Sequence, residues 1–319
     1  MAWTKLPPSP FFVLAPMDDV TDTVFRQVVA TCASSDLCFT EFVNVDGLQS
    51  PGRPKLIQKL QFTKNEKPIV AQIWGLQPDN FYKTAQEIVA MGFDGLDLNF
   101  GCPVKEVVRN GACSALMNNR ELAVEIIEAA KAGIAGRLPL SVKTRLGFNE
   151  FDLSWHELLL KQNLDMLTIH GRTRKEMSKV PADWDKIGEI RKLRDQLAVK
   201  TLIVGNGDVE SRTHGLELAE KYKLDGIMIG RGVFNDPFVF AKKSPWNDFT
   251  KEQKVELYKK HIELFAQTWS KGEKAVKTLN KFCKVYINGF DGAKELREQL
   301  MATKTTHDLL TELDQVRQP

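Results

Sequence analysis

Eight short apolar runs, each followed by a polar or amphipathic stretch, recur between residues 11 and 229, and nothing else in the chain restricts its fold so tightly. The runs are Phe11–Ala15, Leu37–Phe42, Ile69–Ile73, Gly95–Asn99, Leu140–Thr144, Met166–His170, Thr201–Val204 and Gly226–Ile229. Each is the length of a buried strand. Helical periodicity fills Thr21–Thr31, Asp79–Met91, Arg120–Ala135, Leu153–Lys161, Trp184–Gln196 and Ser211–Lys221. Strand alternating with helix predicts an α/β fold with a parallel sheet. Eight such units without a Gly-x-Gly-x-x-Gly fingerprint favour a closed (β/α)8 TIM barrel over a doubly wound sheet.

The pattern changes near Lys242–Asp248, where Ser244-Pro245-Trp246-Asn247 reads as a linker. Thr250–Trp269, Glu273–Tyr286, Lys294–Met301 and Thr305–Val316 then show helical periodicity with no further strand, which predicts a C-terminal helical bundle. Thr250 followed by Gln253 is a capping-box signal. The expected division is therefore 1–241 and 242–319. The whole chain carries a net charge of only +3, but residues 242–319 hold 15 Lys and Arg against 11 Asp and Glu. That surplus is a weak pointer to a polyanionic partner.

Five cysteines with no Cys-x-x-Cys pair give neither a disulfide framework nor a zinc spacing, so no metal is expected. No apolar run approaches the roughly 18 residues that cross a membrane. The opening Met1-Ala2-Trp3-Thr4-Lys5 lacks a signal peptide's apolar core, so a cytoplasmic protein without a membrane partner is expected. A monomer is expected.

In a parallel barrel the working residues gather at the C-terminal ends of the strands. Those ends carry Pro16-Met17, Gln72, Asn99 with Cys102, Lys143 with Arg145, His170 with Arg172, Asn206-Gly207-Asp208 and Gly230-Arg231-Gly232. A barrel serving only as a scaffold has no need of such regularity. The segment Phe93–Pro103, FDGLDLNFGCP, leaves Cys102 just past the fourth strand in a turn flanked by Gly101 and Pro103. The two glycine-containing turns after strands seven and eight stand where many barrels bind phosphate with backbone amides.

These pieces together resemble the bacterial-type tRNA-dihydrouridine synthase family. The resemblance runs through APMDDVTDTVFR (Ala15–Arg26), QIWG (Gln72–Gly75), DLNFGCPVKEVVRNGAC (Asp97–Cys113), VKTRLG (Val142–Gly147), HGRTR (His170–Arg174), GNGDV (Gly205–Val209) and IGRG (Ile229–Gly232). It implies an FMN-binding catalytic barrel over 1–241 and a helical tRNA-binding domain over 242–319. FMN contacts are implied for Pro16, Met17, Asp18, Gln72, Lys143, His170, Asn206, Gly207, Asp208, Gly230 and Arg231. Cys102 is implied as the catalytic acid, and Asn99, Lys105, Arg109, Arg172 and Arg174 as facing uridine and RNA, with NADPH as electron donor. Two departures stand out: Asp19 where the family often has glycine, and Met177-Ser178-Lys179 after the His-Gly-Arg-Thr motif.

Uridine reduction adds hydrogen across C5–C6, so a hydride carrier and a proton donor are both required. A free thiol near pKa 8.5 is about 97% protonated at pH 7, which suits Cys102 as an acid; thiolate-stabilising neighbours would work against that role. Plainer roles compete at several positions. Lys143 could be a snorkelling lysine and His170 an inner-rim histidine. Cys32, Cys38, Cys113 and Cys283 read as plain buried thiols, and Trp155, Trp184, Trp246 and Trp269 as core. A flavin barrel acting on a free pyrimidine, dihydroorotate dehydrogenase-like, and a non-catalytic RNA-binding protein are the rival functions.

Overall fold

The computed structural model describes residue 3, residues 6–8 and residues 10–316. Met1, Ala2, Thr4 and Lys5, which carry most of the N-terminal targeting argument, lie outside the described residues. Eight parallel strands close into a barrel in chain order: β1 Phe11–Leu14, β2 Leu37–Asn44, β3 Ile69–Trp74, β4 Gly95–Asn99, β5 Leu140–Arg145, β6 Met166–His170, β7 Leu202–Asn206 and β8 Gly226–Ile229. The closing pair is β1 with β8, in register Phe11 to Gly226 through Leu14 to Ile229. β2 and β7 run two residues further than their apolar runs, because Asn44 and Asn206 remain in the ladder opposite Trp74 and Met228.

Alternate strand residues fill the barrel. Phe11, Val13, Ala15, Leu37, Phe39, Val70, Met166, Val204 and Met228 form one buried cluster, the layered interior expected of this fold. The other strand face packs under helices such as Pro78–Met91, which buries Phe81, Ala85 and Ile88 and ends at left-handed Gly92. Between β2 and β3 the connection is short helical turns rather than one long helix, Val45–Leu48 and Arg53–Leu56 among them.

Contacts divide the chain into two units. The first runs to Thr23 and from Ser35 to Gly230; the second comprises Val24–Ser34 and everything from Arg231. The helix Thr23–Cys32 therefore belongs, for nearly all its length, with the C-terminal helices Lys251–Thr268, Asn280–Tyr286, Ala293–Ala302 and Thr306–Gln315. Phe25 stacks on Phe282 at 4.8 Å between ring centroids, and His261 Nδ1 lies 2.9 Å from the Tyr286 hydroxyl. The helix expected from Glu273 begins only as a 3-10 turn at Val276, because Gly272 takes φ +77° and Ala275 is extended. Among the described residues no helix is long and apolar enough to cross a membrane. Trp155, Trp184, Trp246 and Trp269 are buried, as their sequence context suggests.

Candidate active site

β4 ends in a turn built around one side chain. Asn99 Oδ1 accepts from the backbone N–H of Gly101 at 3.1 Å and of Cys102 at 3.0 Å. Its Nδ2 donates to Gln72 Oε1 at 3.0 Å, and Gln72 Nε2 donates to Asp97 Oδ2 at 2.7 Å. Ser141 donates to the other Asp97 oxygen at 2.5 Å. Burial raises the Asp97 carboxyl to about 7 despite these bonds and the nearby Lys143 ammonium. Gln72 is 0% exposed and links Asn99 to Asp97.

The turn is pinned from β5 as well. Phe100 N–H donates to Lys143 O at 2.8 Å, and Arg145 Nε donates to Gly101 O at 2.8 Å. The same guanidinium holds the loop after β6, donating to Thr173 O at 3.1 Å and Met177 O at 2.9 Å. The sequence singles out Arg145 at a strand end but gives it no role. Cys102 is 8% exposed. Its sulfur is hydrogen-bonded by the Cys113 thiol and by the Val104 N–H, and these contacts with the Arg145 charge bring its pKa down to about 7. The thiol is thus more acidic than the ordinary cysteine the sequence suggests. Cys113 is free and buried, as expected of it.

Lys143 pairs in the ladder with Asn99 on one side and Thr168 on the other, and its Nζ donates to Asn206 Oδ1 at 3.2 Å. Burial, reinforced by Arg145, pushes the Lys143 ammonium down to about 8. Asn206 in turn donates to Met228 O at 2.9 Å, tying the end of β7 to β8. His170 stands across the ladder from both Arg145 and Asn206. Gly207, at φ +129°, lies against its ring: a Cβ there would sit 3.2 Å from His170 Cδ2. Trp184 Nε1 donates to Gly207 O at 3.2 Å, and Asp208 follows in the left-handed region at φ +52°.

Arg172 departs from its expected role. It is 3% exposed, donates to Val180 O at 2.5 Å and to Asp208, and lies 3.1 Å from His170 Nε2. This guanidinium positions His170 and Asp208 from within the protein. Arg174 is half-buried over the Phe148 ring at 5.0 Å, and Lys105 and Arg109 are exposed on the short helix Lys105–Arg109 that follows Cys102. Asp18 pairs with Lys59, which also lies 3.8 Å from Glu41. Asp19 adopts φ +56°, the left-handed region that favours glycine. Pro16 is buried, and Met17 lies near Gly230, its sulfur 3.7 Å from where a Cβ would stand. Arg231 follows as the exposed first residue of the second unit.

A closed parallel barrel with a thiol, an ammonium, an imidazole and an amide at successive strand ends defines a barrel enzyme whose chemistry sits at the C-terminal mouth. The family model described as "Dihydrouridine synthase (Dus)" matches residues 13–318, and the chain belongs to that family. It is 48% identical to "Probable tRNA-dihydrouridine synthase 2" of Bacillus subtilis (strain 168) over 98% of this chain and 95% of that protein. It is 46% identical to "Probable tRNA-dihydrouridine synthase" of Staphylococcus aureus (strain COL), over 98% and 94%. Among solved structures, a 2-naphthoyl-CoA reductase complex aligns with TM-score 0.56 at 10% identity, covering 77% of this chain and 51% of that one. Histamine dehydrogenase from Rhizobium sp. 4-9 aligns at 0.53 and 12% identity, covering 81% and 49%. At those identities the likeness is one of fold.

Proposed function

We propose that this chain is a tRNA-dihydrouridine synthase that uses FMN as its hydride carrier and NADPH as reductant. The observation that carries the reading is the Cys102 turn, shaped by Asn99 and Arg145 and set beside Lys143, in a chain of this family. The donor set fits a flavin phosphate and ring. Gly207 and Asp208 both have positive φ, a turn that aims backbone N–H groups at an anion, and Arg172 neutralises the Asp208 carboxylate that would otherwise oppose one. Pro16, Met17, Lys143, His170, Asn206 and Gly230 would hold the group.

Reduced FMN bound there would supply hydride to C6 of uridine. The charge that moves toward C5 and O4 calls for a proton, and the Cys102 S–H donates it to C5. A donor titrating near the working pH balances acid strength against the fraction protonated. Lys143 presents a cation where negative charge accumulates. Asn99 spends Oδ1 on the turn and one Nδ2 hydrogen on Gln72, leaving the second for a uridine carbonyl.

The target base has to leave its stack to enter the barrel mouth. Lys105, Arg109 and Arg174 are suited to the flanking phosphates. In the helical unit Lys277, Lys281 and Lys284 are exposed within a stretch, residues 274–290, that contains no Asp or Glu. This local run is a sharper polyanion signal than the whole-tail surplus. A free-pyrimidine reductase would leave those lysines without a task. Purified protein reconstituted with FMN and NADPH, offered unmodified tRNA, uracil and orotate, tests the reading. Dihydrouridine in tRNA is expected by mass mapping; turnover of uracil or orotate but not tRNA would refute it.

A further inference from the structure

Asp97, Gln72 and Asn99 form a buried series that ends at the Cys102 turn. Asp97 stands in the ladder between Gln72 of β3 and Ser141 of β5. At one end of the series are two fixed donors, the backbone N–H groups of Gly101 and Cys102, both on Asn99 Oδ1. At the other end is a carboxyl oxygen, Asp97 Oδ2, which accepts from the Gln72 amide at 2.7 Å. Each of the two amides between them has one accepting oxygen and one donating nitrogen. With donors at one end and an acceptor at the other, only one orientation of both amides satisfies every bond. Asn99 then gives its oxygen to the turn and its nitrogen to Gln72, and Gln72 gives its nitrogen to Asp97. We infer that Asp97 is the positioning residue of this series: its acceptor oxygen sets the polarity with which Asn99 holds the Cys102 turn and presents an N–H to the bound base.

Reversing the amides would set the Asn99 nitrogen against two N–H donors and the Gln72 oxygen against a carboxyl oxygen. Inside a dry barrel neither clash is relieved by water. The polarity also survives the titration of Asp97, which burial raises to about 7. A proton on Oδ1 would be donated to Ser141 Oγ, 2.5 Å away, and the Ser141 hydrogen would turn to Leu96 O at 3.5 Å. Oδ2 remains an acceptor in both forms. The direction matters to the substrate because a uracil edge carries carbonyl oxygens at C2 and C4 on either side of N3–H. An Asn99 hydrogen meets a carbonyl; an Asn99 oxygen would meet only N3–H. Without an acceptor at position 97 the Gln72 nitrogen loses its partner, and nothing at that end of the series holds the two amides in one direction.

The inference rests on the reading of the chain as a tRNA-dihydrouridine synthase with Asn99 at the base, and that reading fails by itself if wild type forms no dihydrouridine in tRNA. The experiment measures kcat/KM for tRNA in Asp97→Leu and Asp97→Asn. It uses tRNA carrying uridine, 2-thiouridine or 4-thiouridine at the position that mass mapping finds reduced. Asp97→Leu removes the acceptor at similar volume and should lower kcat/KM on the uridine substrate roughly ten- to hundred-fold. Asp97→Asn keeps an oxygen for Gln72 and turns its nitrogen to Ser141, so it should stay within about threefold of wild type. Sulfur accepts a hydrogen bond more weakly than oxygen, so one of the two thio substitutions should cost wild type and Asp97→Asn about fivefold. In Asp97→Leu the same substitution should cost less than about twofold, because the donor is no longer held toward the base. A lesion of general structure would slow oxygen and sulfur substrates alike. If Asp97→Leu does not fold, Gln72→Met breaks the series one link nearer the turn and carries the same expectations. Wild-type rates in the leucine variant, an asparagine variant as slow as leucine, or an equal thio penalty in wild type and leucine overturns the inference.

Discussion

The barrel unit and the helical unit handle charge in opposite ways. At the barrel mouth the ionisable groups are buried and committed: Asp97 to Ser141 and Gln72, Arg145 to three carbonyls, Arg172 to Asp208 and Val180. Their titrations move as a result, with Asp97 and Cys102 near 7 and Lys143 near 8. In the helical unit the lysines of residues 274–290 include Lys277, Lys281 and Lys284, all exposed, with Lys281 5.8 Å from the Phe282 ring. Buried charge tunes bond-making at one place and is insensitive to salt. Exposed charge attracts a polyanion over a distance and is screened. Activity and RNA affinity should therefore be separable by mutation.

The largest effect belongs to the barrel. Cys102→Ala should reduce tRNA-driven reoxidation of the flavin by about 10²–10⁴, the usual worth of a positioned acid, while flavin binding and reduction by NADPH persist. Rapid-mixing absorbance separates the two half-reactions. Loss of the NADPH half-reaction with the tRNA half intact would put the thiol on the wrong side of the chemistry.

Next in size comes the helical unit. Changing Lys277, Lys281 and Lys284 together to Ala should weaken tRNA binding about ten- to hundred-fold at physiological salt and flatten the salt dependence by about two to three units of slope. The flavin spectrum and its reduction should not change. Equal salt slopes for variant and wild type would remove the phosphate role from this run.

Arg172 tests the boundary between the two modes. As a buried partner of His170 and Asp208 it should, when changed to Gln, weaken FMN binding by about tenfold and leave the tRNA salt slope unaltered. Were it facing RNA, the slope would drop by about one and the flavin would hold. A thermal melt guards against simple unfolding.

Much of the barrel was legible in the sequence because apolar runs ended at residues that stop a strand or cap a helix. β4, β6, β8 and the helix Trp184–Gln196 begin and end where their periodicity does. The site was legible as far as strand order goes, which brought Asn99, Lys143, His170 and Asn206 together. What escaped depends on paths between elements. Ser114 meets the Cys102 carbonyl through a returning loop, and Arg172 turns inward to Asp208 although His-Gly-Arg-Thr-Arg reads as a cationic surface. The helix Thr23–Cys32 joins the second unit through Phe25, and no local pattern announces a partner at Phe282.

The smallest prediction compares one glycine from each unit. A Cβ on Gly101 would stand 3.3 Å from Thr144 C and 3.4 Å from Lys143 O, so Gly101→Ala must lift the Cys102 turn or shift β5 by a few tenths of an ångström. Gly272, at φ +77°, has nothing within 4 Å of its Cβ position, so Gly272→Ala carries backbone strain alone. Each should cost about 1 kcal/mol, a fall of a few degrees in melting temperature. Only the first changes the spacing between the thiol and the Lys143 strand, and it should slow the tRNA half-reaction a few-fold. Gly272→Ala should leave that rate within error of wild type. The paired measurement needs the melts to match before the rates are compared. If two equally destabilised variants lose the tRNA half-reaction equally, the Cys102 turn has no positional demand beyond general stability, and the contrast between the two units loses its structural basis.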